Sequence, residues 1–215
     1  MTPDKVYIQR ALISVSDKSG LAELLKQLDP KTTGIEVLST GGTAREIRKL
    51  GYTARDVKDY TGLPESPDDL VKTLHPKIHG GFLLDPNEPT HSQYMKEQGI
   101  VPIDLAVVNL YPFAQTVSIP CATVEQVRVK IDIGGPCMVR SAAKSFKRVA
   151  VIVNWQSTNL LQRDEHGVFT TLESRAALAK LAFEHTAGFD RAVDTYLSTL
   201  SANDIAGYYL GANKT

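Results

Sequence analysis

The stretch DLVKTLHPKIHGG, Asp69 to Gly81, holds Lys72, Lys77, His75, His79 and a closing glycine pair. Histidines four apart share one face of a helix, which is a metal-binding spacing. No glutamate stands between them as in HExxH, and no neighbouring Cys or carboxylate offers a third ligand, so no metal is expected. Pro76 suits the first turn of a helix and makes His75 the residue at its entrance. Lys72, between Val71 and Thr73 and just ahead of that entrance, can aim an ammonium at a ligand oxygen. Its plainer alternative is an exposed loop lysine.

Two further stretches have the composition of an anion site. In STGGTA, Ser39 and Thr40 end a strand, Gly41 and Gly42 let the backbone turn, and Thr43 would cap the helix that follows. The spacing is neither GxxxxGK[ST] nor GxGxxG, so a structural turn stays open. SVSDKSG puts Ser16 and Lys18 directly after the first expected strand, at the same sheet edge. A hydroxyl, an ammonium and a glycine turn together suit a phosphomonoester, against a capped helix start with a solvated lysine.

Three more polar groups stand where strands end or helices open. VVNLYPF carries Asn109 and Tyr111, and IDIGG sets Asp132 between isoleucines before a glycine pair. A carboxylate in apolar company is either a ligand contact or a structural cap. Lys144, near the end of the following helix, complements its dipole or serves the site.

The elements that must position these residues alternate β-α-β-α. RALISVS (10–16), IEVLST (35–40), TARDV (53–57), IDLAVVNL (103–110) and RVAVIV (148–153) read as strands, the last two as apolar runs covered on both faces. LAELLKQL (21–28) has helical spacing, and TAREIRKLG (43–51) reads as a helix with a Thr43/Glu46 capping box. KDYTGLPESPDD (58–69) reads as a loop near the site. TVEQVRVKI opens on a Thr123/Gln126 capping box, and GGPCMVRSAAKS is a small-residue helix. From Thr170 a long helical stretch follows, with a Thr170/Glu173 box and an expected interruption near Gly188. The expected α/β core spans about 8–155, with a helical tail over about 156–215.

Composition excludes several classes. With 24 Lys plus Arg against 24 Asp plus Glu, no overall field draws the chain to nucleic acid or a membrane surface. The two cysteines, Cys121 and Cys137, form no metal spacing and no disulfide framework, and read as reduced, semi-buried thiols. The N-terminal residues lack the apolar core of a signal peptide, and no apolar run has the length of a membrane span, so a cytoplasmic protein is expected.

Taken in order, SVSDKSGL, STGGTAREIRKLG, VKTLHPKIHGG, VNLYPF, IDIGG, RSAAKS and LAFEHTAGFD resemble IMP cyclohydrolase, the N-terminal domain of the bifunctional purine-biosynthesis enzyme. The resemblance runs from Ala11 to about Leu200. It implies a methylglyoxal-synthase-like, three-layer α/β fold with a mainly parallel sheet and a helical C-terminal extension, in one domain over 1–215. It implies ring closure of 5-formamidoimidazole-4-carboxamide ribonucleotide (FAICAR) to IMP with loss of water, without cofactor or metal, in a homodimer. By motif, Ser16, Lys18, Thr40, Gly41, Gly42 and Thr43 would hold the 5'-phosphate. Lys72, Tyr111, Asp132 and Lys144 would form the catalytic group, with Lys144 relaying protons beside Asp132. Thr73, Asn109, Ile133, Gly134 and Gly135 would line the base.

Two features depart from the pattern. Where the family usually reads Gly-Gly-Arg before VKTLHP, this chain reads Asp68-Asp69-Leu70, and leucine cannot replace an arginine's bidentate anion contacts. The sequence stops short of the family's transformylase domain, which fits either a stand-alone enzyme, needing a separate formyltransferase, or one domain of a longer protein. A non-catalytic purine-nucleotide-sensing module on the same fold is the alternative function.

Overall fold

A computed structural model describes residues 4–63 and 70–211. Five parallel strands form its centre: β2 (Arg10–Val15), β3 (Glu36–Ser39), β4 (Arg55–Asp56), β5 (Leu105–Asn109) and β6 (Ala150–Ile152). Their spatial order is β4-β3-β2-β5-β6, and Ala11 lies opposite both Val37 and Leu105. The chain thus builds outward from β2 in one direction, then returns to build outward in the other. The gap between β2 and β5 is therefore a topological switch point, where open α/β sheets leave a crevice at the strands' carboxyl ends.

Alternation along the strands divides the core between two faces. Ala11, Ile13 and Val15 join Leu21, Leu24, Leu25 and Leu28 of α1 (Leu21–Leu28) and Ala44 and Ile47 of α3 (Gly41–Lys49). The i, i+3, i+4, i+7 spacing of the α1 leucines gives that helix one continuous apolar stripe. On the other face, Leu12, Ala106 and Val108 pack with α5 (Pro76–Leu83) through Ile78 and Phe82 and with α9 (Gly134–Lys144) through Met138, Val139, Ala142 and Ala143. The three-layer α/β expectation is met.

The expected helix starts are partly displaced. Helix α3 begins at Gly41 with Thr40 as its N-cap, so the Thr43/Glu46 box does not form. The hydroxyl of Thr43 instead accepts from the Val15 amide and donates to the Val15 carbonyl, both at 3.1 Å. Helix α10 (Leu172–Thr199) starts one residue later than expected, on a Thr171/Ser174 box, and runs unbroken through Gly188. A Cβ at Gly188 would meet nothing within 4 Å, so this glycine marks no close approach. The Thr123/Gln126 box is made, at the start of α8 (Val124–Arg128).

Within the stretch read as a loop over 58–69, residues 58–61 lie in α4 (Val57–Thr61). The last part of that stretch, residues 64–69 with Asp68 and Asp69, lies outside the described residues. The tail over 156–215 is not wholly helical. Its β7 (Gln162–Asp164) and β8 (Gly167–Thr170) form a hairpin that pairs with β1 (Val6–Tyr7) in a small antiparallel sheet. Of the two thiols expected to be semi-buried, Cys121 is exposed and Cys137 is intermediate.

Candidate functional site

At the switch point lies a cleft of about 360 Å³. It collects residues from five places in the sequence. The loop after β2 brings Ser16 and Lys18, and the start of α3 brings Thr40, Gly42 and Thr43. The turn before α5 brings Leu70, Lys72 and Thr73. The end of β5 and the entrance of α9 bring Asn109, Tyr111, Asp132, Ile133, Gly134 and Gly135.

The helix α3 enters the cleft from its N-terminus, where the Thr43 and Ala44 amides turn back to the Thr40 carbonyl at 2.9 and 3.1 Å and the Gly41 and Gly42 amides precede the first helical hydrogen bond. Gly41 holds a φ of 31°, in the left-handed region where a Cβ is strained, which is why this turn takes glycine. Thr40 is buried, and its hydroxyl pairs with that of Ser14 at 2.9 Å. Lys18 folds back so that its ammonium donates to the carbonyls of Ser16 (3.2 Å) and Val15 (3.4 Å).

Asn109 does more to shape the loop than to face a base. Its Oδ1 accepts from the amides of Ser16 (2.6 Å) and Asp17 (3.0 Å), while its Nδ2 donates to the Asp17 carbonyl at 2.8 Å. Asn109 lines the cleft as expected of a residue near the base, but its side-chain amide is committed to the β2–α1 loop. Asp17 in turn accepts from the amide and hydroxyl of Ser19, both at 2.9 Å, and from Nε1 of Trp155 at 2.9 Å. These bonds hold its carboxyl below the usual aspartate range.

On the other side, the Asp132 carboxylate accepts from the Gly135 amide at 2.8 Å. Burial pushes its pKa up, opposed by the backbone amides of Gly135 and Tyr111 and by the positive charge of Lys72. A carboxylate so placed binds a proton more readily than one in water, which suits it to proton transfer. The glycine pair permits the approach: a Cβ on Gly135 would come within 2.6 Å of Asp132 Oδ2 and Leu110 Cδ2, and one on Gly134 would collide with Thr73 Oγ1. Tyr111 is 46% exposed, with Lys130 Nζ 5.7 Å from its ring centroid.

Lys144 is not among these residues. It is the last residue of α9, whose first turn carries the cleft, and a rise of about 1.5 Å per residue sets it roughly 15 Å along the axis. Lys144 instead lines a second, larger cavity of about 650 Å³ with Arg140, Lys180, Phe146 and Phe183. A position beside Asp132 within one chain is thereby excluded. The greater size of the second cavity does not make it the site, since none of the convergent polar groups above reaches it.

The histidine pair is structural. His75 caps α5, its Nδ1 accepting from the Lys77 amide at 3.1 Å. His79 bridges α5 to α9, with Nδ1 2.9 Å from Ser141 Oγ and Nε2 3.1 Å from the Thr73 carbonyl. Motif reading missed Ser14, Lys130, Val129, Ile131, Asp17 and Trp155 around the cleft. Ser14 and Asp17 carried a sequence signal, both as part of SVSDKSG.

Residues 20–137 match the MGS-like domain family, more than half of the chain. The chain belongs to the MGS-like domain family. Beyond the MGS-like region, residues 142–213 match the AICARFT/IMPCHase bienzyme family. The two matches together indicate the family of the bifunctional purine-biosynthesis enzyme and support a role in purine biosynthesis. Among solved structures, this MGS-like chain resembles one titled "Crystal structure of ForH", with 28% sequence identity and a TM-score of 0.71 over 87% of this chain and 97% of that one. Among the described residues, no helix is long and apolar enough to cross a membrane.

Proposed function

We propose that this chain is an IMP cyclohydrolase that closes the second ring of FAICAR to give IMP and water. The observation that carries the reading is the desolvated Asp132 carboxylate at the α9 entrance, within the influence of Lys72 and sharing one cleft with Ser16, Lys18 and the start of α3. The 5'-phosphate is held by Ser16, Lys18 and the Thr40–Gly42 turn, and the base lies by Thr73, Ile133 and Gly134. Held there, the carboxamide nitrogen meets the formyl carbon at high effective concentration. The nitrogen attacks that carbon, and Asp132 accepts the proton it loses. Lys72 and Tyr111 stabilise the charge developing on the formyl oxygen and protonate it. A second proton leaves the formamide nitrogen as the oxygen departs in water. The step needs no cofactor, and within one chain Lys144 stands apart from it. The same reading has the chain act as one functional unit, as a homodimer.

One observation favours the alternative of a nucleotide-sensing module. Leu70, 71% exposed on the cleft, offers no anion contact where the resembling family carries arginine. Absorbance-monitored ring closure of FAICAR by the purified protein, with Lys72→Ala alongside, separates the two. Turnover lost in the variant supports the enzyme; IMP binding without turnover in the wild type supports the sensor.

A further inference from the structure

The anion-binding loop between β2 and α1 is clamped from two sides. On one side is the Asn109 amide. On the other is Trp155, in the 3-10 helix Trp155–Leu160 that follows β6. The indole makes two contacts with the loop. Its Nε1 donates to Asp17 Oδ2 at 2.9 Å. Its ring lies so close to Gly20 that a Cβ added there would come within 2.8 Å of Cγ, Cδ2 and Cε3. Trp155 itself is partly buried against the core layer that includes Leu21 and Leu24, so its position is fixed by packing rather than by the loop.

We propose that Trp155 is a positioning residue for the loop that carries Ser16 and Lys18, and that its indole reports whether that loop holds a phosphate. This rests on reading the cleft as a phosphomonoester site. Asp17 sits between the two anion-facing residues, and its carboxylate ties Ser19 and Trp155 together. Removing the indole donor frees one end of that tie and lets the Ser16–Ser19 backbone sample other conformations, which a bound anion must then restrict. A dianion drawing Lys18 from the Val15 and Ser16 carbonyls changes the field at the neighbouring Asp17–indole hydrogen bond. Trp155 is the only tryptophan in the chain, so emission excited at the indole edge has one source.

The full chain is titrated with inorganic phosphate and with IMP, following tryptophan emission and, in parallel, heat of binding, with chloride at matched ionic strength as control. The expected result is a saturable emission shift with both ligands and none with chloride. Trp155→Phe keeps an aromatic ring but no donor. It should weaken phosphate and IMP binding about threefold to tenfold, the size of one modest hydrogen bond, and raise KM by that factor while leaving kcat within about twofold. Asp17→Ala should weaken binding similarly, and the double variant should add little, since the two changes cut one tie. Heat of binding with no emission shift, or unchanged affinity in a folded Trp155→Phe, overturns the assignment to Trp155 and leaves the phosphate reading standing. No heat of binding for either ligand in the wild type overturns both.

Discussion

Asp132 combines burial with a nearby lysine, so its charge is held at a cost to stability that the site can use. Its pKa is raised in the folded state, so the stability it contributes is present below the unfolded value of 3.8 and lost as pH rises through the folded one. At neutral pH its ionised form is therefore a net burden. Asp132→Asn keeps an acceptor for the Gly135 amide and removes the charge. It should lower kcat for ring closure about a hundredfold or more while leaving the urea midpoint unchanged or higher. In the wild type, kcat should rise with pH through the raised Asp132 pKa, and that limb should vanish in the variant. Leu70 makes the opposite kind of test, because a guanidinium there meets an exposed, solvated position. Leu70→Arg should lower KM for FAICAR several-fold with kcat little changed, as expected for added uniform binding. Both residues were visible in the sequence, Asp132 by its apolar neighbours and Leu70 by its departure from a motif. The commitment of Asn109 and Thr43 to the backbone was not, because an amide or hydroxyl beside a glycine turn reads the same whether it faces a ligand or a neighbouring strand.

At the entrance of α9, two glycines let a helix begin against a carboxylate and a threonine. Gly135→Ala should displace Asp132 and Leu110, destabilise the fold by about 1–3 kcal/mol as an overpacked site does, and reduce turnover, both read from urea melts and kinetics on one preparation. The elements of the parallel sheet were legible because continuous apolar runs such as LAVVN are what a strand covered on both faces requires. The β7–β8 hairpin was not, since QRD and GVFT are too short to show alternation and one of them is wholly polar. Gly188 suggested a break, but a glycine on an exposed helix face costs only about 1 kcal/mol, which the packing of α10 offsets. The separation of Lys144 from Asp132 was readable from helix rise alone, once α9 was taken as one helix.

At the scale of the molecule, one buried arginine ties distant segments together. Arg175 is 0% exposed, and its guanidinium donates to the carbonyls of Asp4, Phe146, Lys147 and Thr170. Arg175→Leu leaves those carbonyls without their donor and should cost about 3 kcal/mol or more, visible as a lower unfolding midpoint with KM of the remaining folded protein unchanged. Burial lowers the pKa of His79 and of His185. Their contribution to stability is present above the unfolded value of 6.5 and lost as pH falls below it. Urea midpoints should therefore drop between pH 7 and pH 5.5, and less in His79→Asn. The strand order has a consequence for synthesis. The central strand β2 finds β3 soon after it leaves the ribosome, but its other neighbour, β5, follows about 95 residues later. At typical elongation speeds of about 5–20 residues per second, one edge of the nascent sheet stays bare for roughly 5–20 s. A row of unpaired amides and carbonyls is then open to chaperones or to a neighbouring nascent chain, so synonymous changes that slow translation between codons 40 and 105 should lower the yield of soluble protein without altering one residue of it.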